Sequence, residues 1–368
     1  MLDVFQIADI LVEKVKKEYK EDIAVIAYYG SYALGKANEK SDLDFFFIPN
    51  NPKGNEASIQ FIIDGIGFDF WPISWEYAEK MASFEDRTTI IADSKILYVR
   101  SEEDENRFNE LKKSIDNMKT GSENRNKLLD QAITELHKSY LFLYKMNKDE
   151  VKNSLTLMRV EAFNVVTTVL KSLALLNQTY FTRGWGQNMD QISNLSIKPD
   201  LLENWINNII SLQSCEQIKL TSEELVESVQ NIIESQQKTT SEHQAFSDVF
   251  NGYYEEVKSN FNKIITACEK DDLYTAFFIS IQTQTILSYF LGRAEHGVWY
   301  SDLSSYQIVD DLYHQFHFPD LIQNSNNLRL LKELVIELED KFSKLLKSSG
   351  VKFNVFNNIE EFRSFIEN

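Results

Sequence analysis

The sequence predicts an α+β protein in which a small mixed-sheet domain is followed by a large all-helical one. Three observations carry that expectation. Short, β-rich apolar runs crowd the first hundred residues. Nearly everything after residue 125 repeats its apolar side chains at helical spacing. Only 12 Gly and 5 Pro occur in 368 residues, too few for the many tight turns of an all-β chain.

Taken in order, residues 3–20 set Val4, Ile7, Ile10, Leu11 and Val15 on one stripe, which predicts an amphipathic helix. Residues 23–29 (IAVIAYY) read as a buried strand ended by Gly30. Residues 42–48 (DLDFFFI) read as a second strand, closed by a turn rich in Pro, Asn and Gly at 49–54. Two more strands, 59–63 and 66–73, flank an Asp64-Gly65 turn. A helix at 75–83 and a strand at 95–99 complete the small domain. Residues 101–125 are charged and polar. Helices are then expected at 127–144, 155–176, 201–212, 222–235, 245–268, 274–290 and 327–346. The expected domains are 1–118 and 119–368, the second with a break near 240. Residues 270–300 faintly echo 150–185, each with a long helix that ends near Tyr-Phe and is followed by Gly and Trp.

The formal charge is −18, from 56 acidic and 38 basic residues. Such a surface repels polyanions and disfavours a nucleic-acid partner, which needs cations to neutralise phosphates. It attracts metal ions and polycationic small molecules, and equally serves plain solubility. Cys215 and Cys268 lack metal-ligand spacing and read as buried thiols. The N-terminal Met1-Leu2-Asp3-Val4-Phe5 lacks a signal-peptide pattern, and no run of eighteen apolar residues occurs. The expectation is a cytoplasmic protein with no membrane partner; self-association stays open.

The informative stretch is YYGSYALGKANEKSDLDFFFIP, residues 28–49. On a strand, Asp42 and Asp44 would project from one face with Cα atoms roughly 6.6 Å apart, while Leu43 and Phe45 enter the core. Two carboxylates so placed can share a divalent cation, magnesium or alternatively manganese. Asp69 stands between Phe68 and Phe70 on a later strand and is the expected third acid, in a frame for two metal ions. Asp64 competes for that role, but the Asp-Gly signal puts it at a hairpin tip. Gly30 lets the backbone approach a ligand, and Ser31 can grip a triphosphate. Ser41 adds a hydroxyl beside the acids. Lys36 offers charge for phosphate, though it would serve as well as a solvated lysine. The run Gly30–Ala37 imitates a P-loop but ends in Ala, where the hydroxyl for magnesium belongs, and leaves no room for the following helix. A DxD nucleotide-sugar site fails too, because only 41 residues precede Asp42.

Gly-Ser, a spacer, Asp-x-Asp and a later acid together resemble the signature of the polymerase-β-like nucleotidyltransferases, and most closely the aminoglycoside (kanamycin-type) enzymes, over residues 20–100. The resemblance implies that Gly30 and Ser31 grip phosphates, that Asp42, Asp44 and Asp69 hold metal, and that Asp69 is the candidate general base. It implies transfer of a nucleotidyl group, expected to be AMP, from an NTP to a hydroxyl of an aminoglycoside-like antibiotic, with release of pyrophosphate. The chain departs from the family in two places. Leu34 and then Lys36 stand where many members have Arg. The Glu and Lys that the kanamycin enzyme spaces one turn apart have no match in 127–144 beyond Glu135 and Lys138, three apart, which ordinary helix-surface charges explain. Two alternatives stay open: nucleotidylation of a protein partner, as in antitoxin systems, and a non-catalytic nucleotide-binding module.

Overall fold

The computed structural model describes residues 3–39, 41–240, 244–300 and 306–367, the side chains of 238–240 apart. The chain divides into two compact units, Met1–Ile233 and Glu234–Asn368.

The first unit opens with α1 (Val4–Glu18), β1 (Ile23–Tyr29), α2 (Gly30–Ala33) and β2 (Asp44–Pro49). The hairpin β3 (Ile59–Ile63) and β4 (Ile66–Pro72) follows, then α3 (Trp75–Ala82), α4 (Thr89–Ala92) and β5 (Lys95–Val99). The five strands form one sheet in the order β3-β4-β2-β1-β5. Only the β2–β4 pairing is parallel; Phe45 faces Phe70 there. The others are antiparallel.

Strand alternation gives this sheet two distinct faces. Ile26, Phe45, Phe47, Phe68 and Phe70 pack beneath the apolar stripe of α1. The other face carries Phe46, whose ring lies 6.3 Å from Phe108. That partner sits on α5 (Glu102–Thr120), a helix that the charged stretch 101–125 concealed. Its buried Phe108, Leu111, Ile115 and Met118 recur at helical spacing. Ser101 caps it by accepting from the Asp104 amide at 3.2 Å. A second correction concerns Asp42. The strand begins at Asp44, so Asp42 and Leu43 lie just before it, although Leu43 still enters the core fully buried.

Helices make up the rest of the first unit: α6 (Arg125–Met146), α7 (Asp149–Lys152), α8 (Leu155–Leu176), α9 (Met189–Ser193), α10 (Leu202–Ser211) and α11 (Cys215–Thr240), in which the division falls. α6 and α8 pack along their lengths. The buried Ser172 of α8 donates to the Ala132 carbonyl of α6 at 2.8 Å, so that burial leaves no loose hydroxyl. The second unit holds α12 (Phe246–Val249), α13 (Tyr253–Glu269), α14 (Leu273–His296), α15 (Tyr306–Gln315), α16 (Leu328–Ser348) and α17 (Ile359–Glu367). Its core gathers Phe250, Phe261, Leu287, Leu338 and Phe342. The buried Gln284 accepts from the amides of Leu321 and Ile322 at 2.7 and 3.1 Å, pinning the segment before α16. α15 and α17 lay outside the expected helices. Among the described residues no strand follows Val99, and no helix is long and apolar enough to cross a membrane.

The sheet's apolar face sets a measurable cost. Phe47 is fully buried, its ring 4.5 Å from that of Phe70. Phe47→Ala is expected to lower unfolding free energy by about 3–5 kcal/mol in chemical denaturation. Ile62→Ala, on the exposed edge strand, is expected to change it by less than about 0.5 kcal/mol. Equal effects would contradict the assignment of faces.

Candidate active site

β1 ends where the chain must turn sharply, and Gly30 makes that turn with φ of +73°. Tyr29 is paired directly with Asp44 across β1 and β2, which brings the turn against the acid. The approach is so close that a Cβ on Gly30 would stand 2.0 Å from Asp44 Oδ2. This glycine is therefore required twice, by its backbone angle and by its neighbour. Asp42 follows from the chain entering β2, one residue before the fully buried Leu43.

The two carboxylates are electrically uncomfortable. Burial pushes Asp42 above the ordinary carboxylate range. Burial, with the charge of Asp42 added, pushes Asp44 up to about 6. Tyr29 is pushed up to about 12, mainly by burial and then by the charge of Asp44. A bound divalent cation would relieve all three effects, and an oxygen-only pair suits magnesium. The donor set thus fits a cation held jointly with a ligand's phosphates. It does not amount to a full protein cage: among the described residues no three His, Cys, Asp or Glu side chains are grouped to hold a metal.

Asp69 explains that shortfall. The Phe45–Phe70 pairing puts Asp44 and Asp69 at neighbouring positions on one face of the sheet. Phe68 and Phe70 are buried on the other. Yet the Asp69 side chain is exposed and accepts a hydrogen bond from Gln60 Nε2 at 2.7 Å. Its strand borders the edge of the sheet, where that face is open, so the apolar surroundings expected from Phe68 and Phe70 are absent on its own side. Asp64 occupies the hairpin turn with φ of +51°, as the Asp-Gly signal implied.

A cavity of about 950 Å³ opens over Asp42 and Asp44. Gly30, Ser31, Lys36 and Ser41 all line it, and Asp69 is not among the lining residues. The Lys36 amide donates to the Ser31 carbonyl at 2.8 Å, and Ser41 Oγ accepts from the Asn38 amide at 2.9 Å. The same cavity receives side chains that sequence reasoning passed over. Glu135 of α6, read as a surface charge, sits in its wall with a side chain only 15% exposed, paired with Lys138 and 4.0 Å from Lys171 of α8. Phe84, with φ of +67°, sets its ring 5.7 Å from Tyr180, and Phe181 and Trp185 meet at 5.7 Å. Glu85, Asp86 and Arg87 complete the loop beside Phe84. Five acids and five cations therefore face one space. Of the charged side chains passed over, only Glu135 and Lys138 had a sequence signal, their spacing of three on a helix.

Residues 8–118 match the family described as nucleotidyltransferase domain. Residues 105–239 match the KNTase C-terminal domain, the helical part of kanamycin nucleotidyltransferases. No curated protein matches the sequence. Among solved structures, a nucleotidyltransferase-like protein from Exiguobacterium sibiricum is similar at 8% identity and a TM-score of 0.35, over 62% of this chain and 75% of that one.

Gly30→Ala is expected to abolish turnover, because its Cβ and its angle would push Asp44 out of place. Gly35, also at positive φ but with open space about it, is the control; Gly35→Ala should keep most activity. Steady-state rates and thermal melts of the two variants check this. Normal activity in Gly30→Ala would show that Asp44 need not stay where it is.

Proposed function

We propose that this chain, which belongs to the polymerase-β-like nucleotidyltransferases and carries kanamycin-type helices, transfers AMP from ATP to a hydroxyl of an amine-rich small molecule such as an aminoglycoside. It is a nucleotidyltransferase enzyme, which sets aside the non-catalytic module. The observation that carries the reading is one cavity uniting Gly30, Ser31, Asp42 and Asp44 with Glu135 from the helical part. The cations Lys36, Arg87, Lys138, Lys171 and Arg183 suit a triphosphate. Glu85, Asp86 and Glu135 suit the ammonium groups of the acceptor.

Asp42 and Asp44 would hold divalent magnesium, with Asp69 joining once it leaves Gln60. When bound, the metal supplies positive charge to the phosphates and lowers the pKa of a coordinated hydroxyl. The turn at Gly30-Ser31 grips the phosphate chain and orients it. The acceptor oxygen attacks the α-phosphorus, the bond to the β-phosphate breaks, and pyrophosphate leaves with the electron pair. Of the two carboxylates able to take the acceptor's proton, Asp69 and Glu135, the second lines the cavity, so the base role passes to Glu135.

The test is a screen of purified protein with each labelled NTP against aminoglycosides and lincosamides, read by mass spectrometry. An acceptor gaining the mass of AMP, with pyrophosphate released, is the expected result. Glu135→Gln should then lose about two to four orders of magnitude in kcat with KM for ATP little changed. Labelling of a protein in place of every small acceptor would shift the reading to protein nucleotidylation.

A further inference from the structure

The phosphate chain that this reading places in the cavity carries several negative charges beside Asp42 and Asp44, and it sheds another onto pyrophosphate as it reacts. Charge of that kind needs cations free to turn toward it. The chain after Gly30-Ser31 offers the apolar Leu34 to the cavity before it offers Lys36. The other four cations in the wall all lie within 4.0 Å of an acid. Lys138 and Lys171 pair with Glu135. Arg183 donates to the Gln187 carbonyl at 3.1 Å and lies 3.5 Å from Asp190.

Arg87 differs from these in being held through the face of its head group as well. Its side chain is 61% exposed, with its nearest acid, Asp86, 3.9 Å away. The Asp86 carboxylate is already occupied by the Tyr77 hydroxyl at 2.5 Å and by the Arg87 amide at 2.7 Å. The guanidinium lies 5.7 Å over the Trp71 ring, a contact made through the face of the group rather than through its N–H donors. A hydrogen bond with Tyr77 takes part of that fork. Trp71 in turn is hydrogen-bonded to Tyr29, the residue paired with Asp44, and the Tyr29 hydroxyl feels the charges of Asp44, Arg87 and Asp69 together. Arg87 therefore stands at the acid-bearing end of the cavity, where a planar guanidinium can meet phosphate oxygens two at a time.

We propose that Arg87, held over Trp71, binds the β- and γ-phosphates of the NTP and stabilises the departing pyrophosphate. The inference rests on the nucleotidyl-transfer reading. As the acceptor oxygen bonds to the α-phosphorus, the electron pair of the breaking bond goes to pyrophosphate, and Arg87 meets that charge without exchanging a proton. Its own signature is affinity for pyrophosphate.

The experiment titrates inorganic pyrophosphate with magnesium into the full chain by calorimetry, for the wild type, Arg87→Ala and Arg87→Met. Methionine keeps an apolar stem over Trp71, so it guards against a merely structural loss. The expected result is wild-type binding that weakens at least about tenfold in both variants, with thermal midpoint and acceptor KM unchanged. Pyrophosphate affinity within about threefold of wild type in the folded variants would overturn the role of Arg87 alone. A wild-type chain that binds neither pyrophosphate nor ATP would overturn the nucleotidyl-transfer reading, and this inference with it.

Discussion

The burial of Asp42 and Asp44 beside one another is the constraint around which the site is organised. Two carboxylates half-removed from water, with the charge of Asp42 adding to the cost that burial sets on Asp44, are a liability that an ordinary core would not keep. The backbone presses the arrangement further, since the Gly30 turn passes so close to Asp44 that no side chain fits between them. The fold holds this pair with fully buried residues on the same segment, Leu43, Phe45, Phe46 and Phe47. On the proposed reading, that cost would become an asset when a cation arrives with the phosphates it accompanies.

The sheet explains how so small a motif is made rigid. Parallel pairing of β2 and β4 aligns Asp44 with Asp69, while antiparallel pairing of β1 and β2 sets Tyr29 against Asp44. α1 covers one face and α5 contributes Phe108 to the other, so the strand bearing the acid is locked from both sides. The helical residues of the first unit then add what a two-carboxylate pair lacks: the half-buried carboxylate of Glu135, proposed above as the base, and an aromatic wall from Tyr180, Phe181 and Trp185. The family matches fall on the same two segments, 8–118 and 105–239.

The strands were legible as short, β-rich apolar runs, and the pleat then sets Phe45 and Phe47 inward with Asp44 and Asp69 on the other face. Gly30-Ser31 was legible as a turn, since an apolar strand ended at a residue able to take a positive φ. α5 was not, because its four buried apolar residues are diluted by a run of charges that are mostly helix surface. The surroundings of Asp69 were misjudged because flanking residues report on the opposite face of a strand, and the edge position of β3 is a property of topology. Arg87 and Lys171 carry no periodic or motif signal. Tertiary packing alone brings a loop and the middle of α8 to the same cavity.

The central claim is that Asp44 carries a charge that costs stability by itself and serves to hold a cation with the nucleotide. Thermal melts of the wild type and Asp44→Asn, each with and without magnesium and a non-hydrolysable ATP analogue, test it most directly. Without cation, Asp44→Asn is expected to melt at or above the wild type, since it removes a buried charge facing Asp42. With magnesium and the analogue, the wild type should rise well above the variant, by the linkage of binding to folding. A variant that melts lower than the wild type without cation, yet gains as much from magnesium and nucleotide, would contradict the account.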